Sequence, residues 1–415
     1  MSAYACRATT HPGVERILAG ELAALGLAVG EVGEGGVAFE AEAYGVYAAN
    51  IWARTAGRVV VRLATFTARG FPELERKAAR APWADFVAPG SPVRFRVTSK
   101  RSKLYHEGAI EERLRGVAVR EAGASPEISG LPEQGAPADG VGEGGAVEDG
   151  AAEGGAVDPL FVVRVDRDRV TLSADASGEL LHRRGYRVRG AKAPLRETLA
   201  AALLISSGWD GASPLVDPFC GSGTIAIEAA LMARRIPPGW RRAFAFERWP
   251  SFDAGAWEEV RAWAGAGMLA VAPATIVGSD RDAGAVETSR ANAERAGVAA
   301  NVTFVRRAVS ALEPPGTPGM PSPPGTPSEG SASPVRGWLV TNPPYGRRLG
   351  DPRALRDLYA AFGNVVRARL SGWRVAMISA DRALEGQVGL RFRERLRTDN
   401  GGVRVRFVEA EVGGG

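Results

Sequence analysis

The sequence predicts an α/β protein, with a Rossmann-like doubly wound sheet in its C-terminal half and a smaller α+β region before it. An apolar run ending at Asp217 leads into a glycine-rich turn and then an alanine-rich helical pattern. That strand–turn–helix order is typical of nucleotide-binding sheets. Two later apolar runs follow the same pattern, since 274–280 ends in Asp280 and 338–340 is followed by Thr341 and Asn342. The carboxyl ends of such strands are where these sheets bind ligands.

The glycine-rich turn is the first candidate binding element. It consists of Asp217, Pro218, Phe219, Cys220, Gly221, Ser222, Gly223 and Thr224. Glycines let the backbone come close to a ligand that a Cβ would push away. The turn falls short of the dinucleotide fingerprint and lacks the Gly-Lys-Ser/Thr of a phosphate-binding loop. An ordinary strand-to-helix turn is the alternative interpretation.

Asp280 is the second candidate, because it ends the β-branched run 274–280. A carboxylate at the end of the second strand can accept hydrogen bonds from both hydroxyls of a ribose. Asp280 lies further from the glycine turn than the usual ~20 residues, so we interpret 234–267 as an insertion. The alternative is a helix N-cap, a position that aspartate favours.

The third candidate is the motif Asn342-Pro343-Pro344-Tyr345. The exocyclic amine of a nucleobase is a weak nucleophile, because its lone pair is delocalised into the ring. A methylating site must therefore hold the amine by its two hydrogens. The Asn342 side-chain oxygen and a backbone carbonyl held by the prolines can accept them, and Tyr345 can stack on the base. A proline-rich turn after a strand is the alternative.

Taken together, these stretches resemble class I S-adenosylmethionine-dependent RNA methyltransferases with an N-terminal THUMP domain, and most of all the family that makes N2-methylguanosine in large-subunit ribosomal RNA. The resemblance is carried by 217–224, 342–346, 181–187 and 193–200, and by the insertion 236–250. It implies a class I methyltransferase sheet preceded by an α+β ferredoxin-like and THUMP RNA-binding region.

The resemblance also implies a reaction. S-adenosylmethionine would donate a methyl group to the N2 amine of a guanosine in RNA, with 23S ribosomal RNA as the expected substrate. The turn 217–224, Asp280 and Asn342 would bind the cofactor, and 342–345 would form the catalytic motif. The family often has an aspartate after the third strand that contacts adenine, but 306–310 reads Arg-Arg-Ala-Val-Ser.

Other activities are compatible with parts of this pattern. A tRNA guanine-N2 methyltransferase would have the same domain order. A DNA adenine-N6 methyltransferase would share both core motifs but carry a target-recognition domain. A protein glutamine methyltransferase would share the Asn-Pro-Pro-Tyr motif without needing basic clusters. A non-catalytic RNA-binding protein would have no need to keep both motifs intact.

The chain is basic, with a net charge of +5 and a pI of about 9.4. Its cations cluster in two stretches, namely Arg94, Arg96, Lys100, Arg101 and Lys103, and Arg183, Arg184, Arg187 and Arg189. Basic stripes are typical of RNA-binding proteins, and a solvated arginine face is the alternative. The predicted RNA contacts are Lys100, Arg101, Lys103, Arg183, Arg184 and Arg187. Arg347 and Arg348 are candidates for the phosphate beside the target.

Composition argues against several other classes of protein. Cys6 and Cys220 are the only cysteines, which excludes a disulfide framework and indicates a cytoplasmic setting. We interpret Cys220 as a small residue in a tight turn and not as a nucleophile. The three histidines lack metal-ligand spacing, and no apolar run is long enough for a bilayer. We therefore expect no metal and no membrane.

The predicted organisation has three domains. Residues 1–66 form a ferredoxin-like domain, 67–175 a THUMP domain and 190–415 the methyltransferase domain. The segments 122–158 and 313–335 are poor in large apolar residues, so we expect disordered insertions there. In the last domain seven strands are predicted, and Asp399-Asn400-Gly401-Gly402 is a hairpin signal between the last two.

Overall fold

The computed structural model describes residues 3–126, 158–187, 195–316, 336–345 and 352–413. The chain forms two compact units. The first unit contains residues 1–10, 18–181 and 242–263, and the second contains 11–17, 182–241 and 264–415. Most of the predicted insertions 122–158 and 313–335 lies outside the described residues, as do Arg189, Arg347 and Arg348.

The described strands of the first unit form one sheet, in the order β2-β3-β1-β4-β7-β6-β5. The elements are β1 Tyr4–Thr9, α1 Glu15–Ala24, β2 Ala28–Gly33, β3 Gly36–Ala41, α2 Ala43–Trp52, β4 Arg58–Thr67, α3 Phe71–Ala78, β5 Arg94–Lys100, α4 Glu107–Ala122, β6 Leu160–Asp166 and β7 Arg169–Asp175. The predicted boundary at residue 66 falls inside β4, which pairs with both β1 and β7. The two predicted N-terminal domains therefore share a sheet.

Two elements of the first unit, β2 and α2, have no local sequence pattern that predicts them. The residues of β2 are largely exposed, so its sequence has no apolar alternation. The helix α2 is buried on nearly every side and therefore lacks the apolar stripe of a surface helix. Tertiary contacts, not local periodicity, define both elements.

Part of the insertion 234–267 packs on α2 of the first unit. The ring of Phe246 stacks on Tyr47, with 4.1 Å between ring centroids, and Trp257 meets Phe246 edge-on at 5.1 Å. The hydroxyl oxygen of Tyr47 accepts a hydrogen bond from the backbone N–H of Asp253 at 3.0 Å. The sequence predicts an insertion here, but it does not predict that residues 242–263 belong to the first unit.

The second unit contains a mostly parallel sheet, in the order β10-β9-β8-β11-β12-β14-β13. Its elements are α5 Glu197–Ser207, β8 Leu215–Asp217, α6 Thr224–Ala233, β9 Ile276–Asp280, α8 Ala283–Ala296, β10 Val302–Arg306, β11 Trp338–Thr341, α9 Pro352–Arg369, β12 Arg374–Ser379, α10 Arg382–Gln387, β13 Arg393–Asn400 and β14 Val403–Glu411. The helix α7 Ala254–Ala266 lies mostly in the first unit. Strand β14 runs antiparallel to β12 and β13. The predicted Rossmann-like sheet with a terminal hairpin is confirmed.

The strand order of this sheet determines where a ligand can bind. The order reverses between β8 and β11, because β9 and β10 lie on one side of β8 and β12 lies beyond β11. These strands are parallel, so their carboxyl ends meet at one edge, where such sheets bind ligands. None of the helices in the described ranges is long and apolar enough to cross a bilayer.

A buried ion pair joins β4 to β7 in the first unit. Arg58 donates to Asp175, and both side chains are almost fully inaccessible to solvent. Asp175 also accepts the backbone N–H groups of Ser177 and Gly178, each at 3.0 Å. Burial raises the pKa of Asp175, and Arg58 lowers it. Removing one partner of such a pair leaves the other charge in a poorly solvated site.

We expect Asp175→Asn to lower the free energy of unfolding by about 3–5 kcal/mol, since the Arg58 charge then loses its carboxylate. Urea denaturation measures the change. Glu73→Gln is the control, because Glu73 pairs with Lys77 on the surface of α3 and its replacement should change little. Equal stability of Asp175→Asn and wild type would contradict this account of the β4–β7 junction.

Candidate functional site

The glycine-rich turn connects β8 to α6 at the edge where the strand order reverses. Gly221 and Gly223 have φ of 52° and 83°, which favours glycine at both positions. A Cβ on Gly223 would lie 3.0 Å from Phe304 and from Ser289, whereas a Cβ on Gly221 would meet no atom within 4 Å. The turn is therefore closely packed at Gly223, whereas the space next to Gly221 is open.

Two buried polar side chains of α8 hold this turn. The Ser289 hydroxyl donates to the carbonyl of Gly221 at 2.7 Å, and the Asn292 amide donates to the carbonyl of Ser222 at 2.9 Å. The sequence analysis did not assign either residue. Their spacing of three, which places both on one face of α8, is a signal in the sequence, because polar residues on a buried helix face need partners.

Asp280 lies directly beside the turn. One oxygen of its carboxylate accepts the backbone N–H of Gly221 at 3.1 Å, and the other accepts that of Asp282 at 3.0 Å. The N-cap of α8 is Asp282, whose side chain accepts the N–H of Gly284. The structure thus excludes the N-cap alternative for Asp280 and places its carboxylate against the glycine backbone.

Asp217 connects the turn to the third candidate element. Its buried carboxylate accepts the Thr341 hydroxyl at 2.6 Å and the backbone N–H of Phe219 at 3.2 Å. The pKa of Asp217 is raised to about 7, because burial and, to a smaller extent, the Asp280 charge outweigh the two hydrogen bonds, which lower it. Thr341 immediately precedes Asn342, so one side-chain contact joins the two motifs. Sequence reasoning missed Thr341.

The motif 342–345 is held from two further sides. The Tyr359 hydroxyl of α9 donates to the carbonyl of Pro344 at 3.2 Å. The Asn400 amide of the terminal hairpin donates to the Tyr345 hydroxyl at 2.6 Å. Burial raises the pKa of Tyr345, so its phenol stays neutral. Asn400 was interpreted only as a turn residue, and Tyr359 lies in a helix that the sequence analysis did not predict.

The side-chain oxygen of Asn342 differs from the other polar groups of this motif. It is buried, and among the described residues no group donates a hydrogen bond to it. A buried acceptor without a donor costs about 1–3 kcal/mol. An acceptor that has no donor among the described residues is suited to binding an N–H donor from a ligand.

Cys220 lies within the turn but has no features of a nucleophile. Its backbone N–H donates to the carbonyl of Ser279 at 3.0 Å, and its side chain is 6% exposed. Burial and the nearby Asp217 charge raise the pKa of the Cys220 thiol above its ordinary value. The thiol is therefore protonated and unreactive. The neighbouring Phe219 packs edge-on against Phe362 of α9, with 5.5 Å between ring centroids.

The structure contradicts the predicted RNA contact of Arg184 and gives Arg187 an internal role. Arg184 is 4% exposed, and its Nε lies 3.7 Å from the Glu228 carboxylate. Arg187 donates to Glu197 at 3.0 Å and to Thr224 at 3.3 Å, so it supports the first turn of α6. A buried cation held by an internal carboxylate, such as Arg184, is not available to phosphates, whereas contact of the partly exposed Arg187 with RNA stays a prediction. The sequence pattern could not distinguish them from surface arginines.

The other predicted RNA contacts are compatible with a surface role. Lys100, Arg101 and Lys103 are exposed in the first unit, and Arg101 pairs with Asp166 at 3.1 Å. Arg183 is half-buried in the second unit. Their contact with RNA remains a prediction. Within the described ranges, no three or more His, Cys, Asp or Glu side chains are grouped as metal ligands would be.

Comparison with family models places most of the chain among methyltransferases. Residues 184–406 match the family described as RMKL-like, methyltransferase domain, and residues 6–60 match the RlmL ferredoxin-like domain. Two relatives from bacteria extend this result. A Synechocystis protein with the provisional name of RNA methyltransferase is 30% identical, and the alignment covers 98% of this chain and 96% of that protein.

The second relative is longer. It is the ribosomal RNA large subunit methyltransferase K/L of Syntrophotalea carbinolica, which is 33% identical over 98% of this chain. The alignment covers 53% of that protein, so this chain spans about half the length of the K/L enzymes.

Solved structures give the same result for the fold. The crystal structure of SMU.472, provisionally a methyltransferase and complexed with SAH, has a TM-score of 0.80 at 27% identity and covers 100% of this chain and 99% of its own. A predicted N6-adenine-specific DNA methylase from Listeria monocytogenes has a TM-score of 0.78 at 30% identity and covers 98% of this chain and 96% of its own.

The raised pKa of Asp217 predicts a pH dependence of stability. Its folded pKa of about 7 exceeds the ordinary 3.8, so the folded protein binds this proton more tightly than the unfolded chain does. Relative to Asp217→Asn, the wild type should lose roughly 1.4 kcal/mol of stability per pH unit as the pH rises through this window. Urea unfolding of both proteins at pH 5 and pH 7 measures the difference. A difference that does not change with pH would contradict the assignment.

Proposed function

Because the chain belongs to the RMKL-like methyltransferase family, we propose that it transfers a methyl group from S-adenosylmethionine to the exocyclic N2 amine of a guanosine in RNA, in large-subunit ribosomal RNA. The name of the K/L relative supports this substrate class. The SAH in the related crystal structure supports the donor, because SAH is the demethylated form of S-adenosylmethionine. A cytoplasmic setting is part of the proposal, and two buried free cysteines agree with it.

The observation that carries the proposal is the unused acceptor of Asn342. Its buried side-chain oxygen lies at the carboxyl end of β11, one residue from the Thr341–Asp217 contact. An amine hydrogen from the target base would supply the missing donor. The hydrogen bond would also orient the amine, because the motif is held at Thr341, Pro344 and Tyr345.

The residues of the glycine turn fit the methyl donor. The space in front of Gly221 is open, and the Asp280 carboxylate beside it has lone pairs suited to ribose hydroxyls. Neither oxygen of Asp280 is fully used by its single backbone donor. When bound, S-adenosylmethionine supplies an electrophilic methyl group on a sulfonium.

The chain's own contribution to the reaction is positioning. Asn342 accepts one hydrogen of the amine, the Pro343 carbonyl accepts the other, and Tyr345 stacks on the guanine, at about 1–3 kcal/mol per stacked base. With both amine hydrogens held by these acceptors, the nitrogen lone pair is free to face the methyl group of the bound donor. Orientation of this kind can supply much of a rate enhancement without a strong general base. A target within a duplex would have to be flipped out of the stack.

Methylation of adenine N6 in DNA is the second candidate, because the Listeria structure carries that name at 30% identity. The same acceptor pair could hold an adenine amine. Transfer of tritiated methyl to RNA and to DNA separates the two activities. Label in RNA alone is expected, and label in DNA alone would reject the proposal.

Asn342→Ala should lower kcat by several orders of magnitude, because the amine loses the acceptor that orients it. The affinity for S-adenosylmethionine should change little. Single-turnover methyl transfer and calorimetry measure the two effects. Asn364→Ala is the control, since Asn364 is exposed on α9. Full turnover by Asn342→Ala would contradict the assigned role.

Asp280→Ala should weaken S-adenosylmethionine binding, because the ribose hydroxyls lose their acceptor and Gly221 loses its anchor. Calorimetry with the donor or with S-adenosylhomocysteine measures this. Asp282→Ala is the matched control from the same loop. It removes the α8 cap, at a cost of about 1 kcal/mol in stability, and should leave donor affinity unchanged. Equal affinities in both variants would remove Asp280 from the site.

A further inference from the structure

We propose that the exposed face of β4, β7, β6 and β5 in the first unit holds the backbone of the substrate RNA through phosphates and ribose hydroxyls, without reading bases. The inference rests on the proposed function for its substrate class and adds the location and mode of binding. It is carried by the register of these four strands and by the chemistry of their outward side chains.

Alternation along the strands separates two faces of this half-sheet. Phe95, Phe161 and Leu172 are buried on the inner face. Strand pairing places Phe95 opposite Phe161 and Val163 opposite Leu172, so one continuous apolar layer runs across β5, β6 and β7. The residues between them therefore lie on the outer face, since successive side chains of a strand point to opposite sides.

The outer face carries cations on several strands. They are Arg62 on β4, Arg169 on β7, Arg164 on β6, and Arg96 and Lys100 on β5. Pairing places Arg62 opposite Ser173, Ser173 opposite Val162, and Val162 opposite Arg96. Arg62 and Arg96 are thus in one row, three strand spacings or about 14 Å apart.

The remaining cations of the outer face lie in the next two rows. Arg164 is one row further along the sheet, about 7 Å away, where it pairs with Thr98 and Thr171. Arg169 and Lys100 belong to the third row, on either side of Asp166. The positive charges therefore cover an area and do not form a single line.

Acidic and aromatic side chains are scarce on this face. In the three rows, all of which the structure describes, the acid is Asp166, which pairs with Arg101 at 3.1 Å. The other positions are threonines, the buried Ser173 and the half-buried Val162, and none is aromatic. Stacking of bases needs aromatic platforms, and phosphate and ribose contacts need cations and hydroxyls. These three rows of the outer face have cations and hydroxyls for phosphate and ribose contacts, but no aromatic platform for bases.

The full-length chain tests this directly. Two fluorescein-labelled RNA duplexes of unrelated sequence are titrated at several salt concentrations, with wild type and with the double variant R62Q/R164Q. The double variant should bind both duplexes more weakly by the same factor, and the slope of log K against log salt should fall by about 2, one for each lost phosphate contact. The control is R76Q/R80Q, which removes two exposed cations on or just after α3, a helix that packs against α4.

The outcomes separate this inference from the proposed function. Weaker binding and a smaller salt slope in R62Q/R164Q alone, with unchanged melting, support the outer face. An unchanged slope in R62Q/R164Q, equal losses in both double variants, or a loss confined to one duplex sequence overturns it. Absence of methyl transfer to RNA by a wild type that still binds the duplexes through Arg62 and Arg164 would reject the proposed function and leave the surface assigned.

Discussion

The hydrogen bond between the Thr341 hydroxyl and the buried Asp217 carboxylate is the contact on which the site depends. Asp217 ends one central strand and Thr341 ends its neighbour. Their contact therefore sets the position of the glycine turn relative to the Asn-Pro-Pro-Tyr motif. Reaction between a bound methyl donor and a base amine needs near contact of two ligands, and under the proposed function this pair of residues joins the two motifs that would hold them.

The remaining supports of the site come from elements distant in sequence. Ser289 and Asn292 hold the turn from α8, Tyr359 holds Pro344 from α9, and Asn400 holds Tyr345 from the terminal hairpin. Each uses a hydrogen bond to a backbone carbonyl or a side-chain hydroxyl. Asn342 is the exception, because its buried oxygen has no donor among the described residues. A motif that is held from several sides, and whose Asn342 oxygen has no donor among the described residues, is suited to binding a ligand.

The arginines show how burial changes the meaning of a basic sequence. Arg184 and Arg187 belong to a run that resembles a nucleic-acid stripe, yet both are held by internal carboxylates. Arg62, Arg164 and Arg169 are scattered in sequence, yet strand pairing gathers them on one exposed face. Spacing along the chain is therefore a weak guide to a charged surface, because the sheet brings together residues about a hundred positions apart.

The sequence by itself determined the mostly parallel sheet, its terminal hairpin and the positions of the candidate motifs at strand ends, because glycine turns, apolar strands and proline motifs express local backbone chemistry. It also identified Asp280 and Asn342 at strand ends. Only the tertiary structure decided that the first two predicted domains share β4, that part of the insertion packs on α2, and which arginines face solvent. These features depend on pairing and packing between segments far apart in the chain, which leave no local pattern.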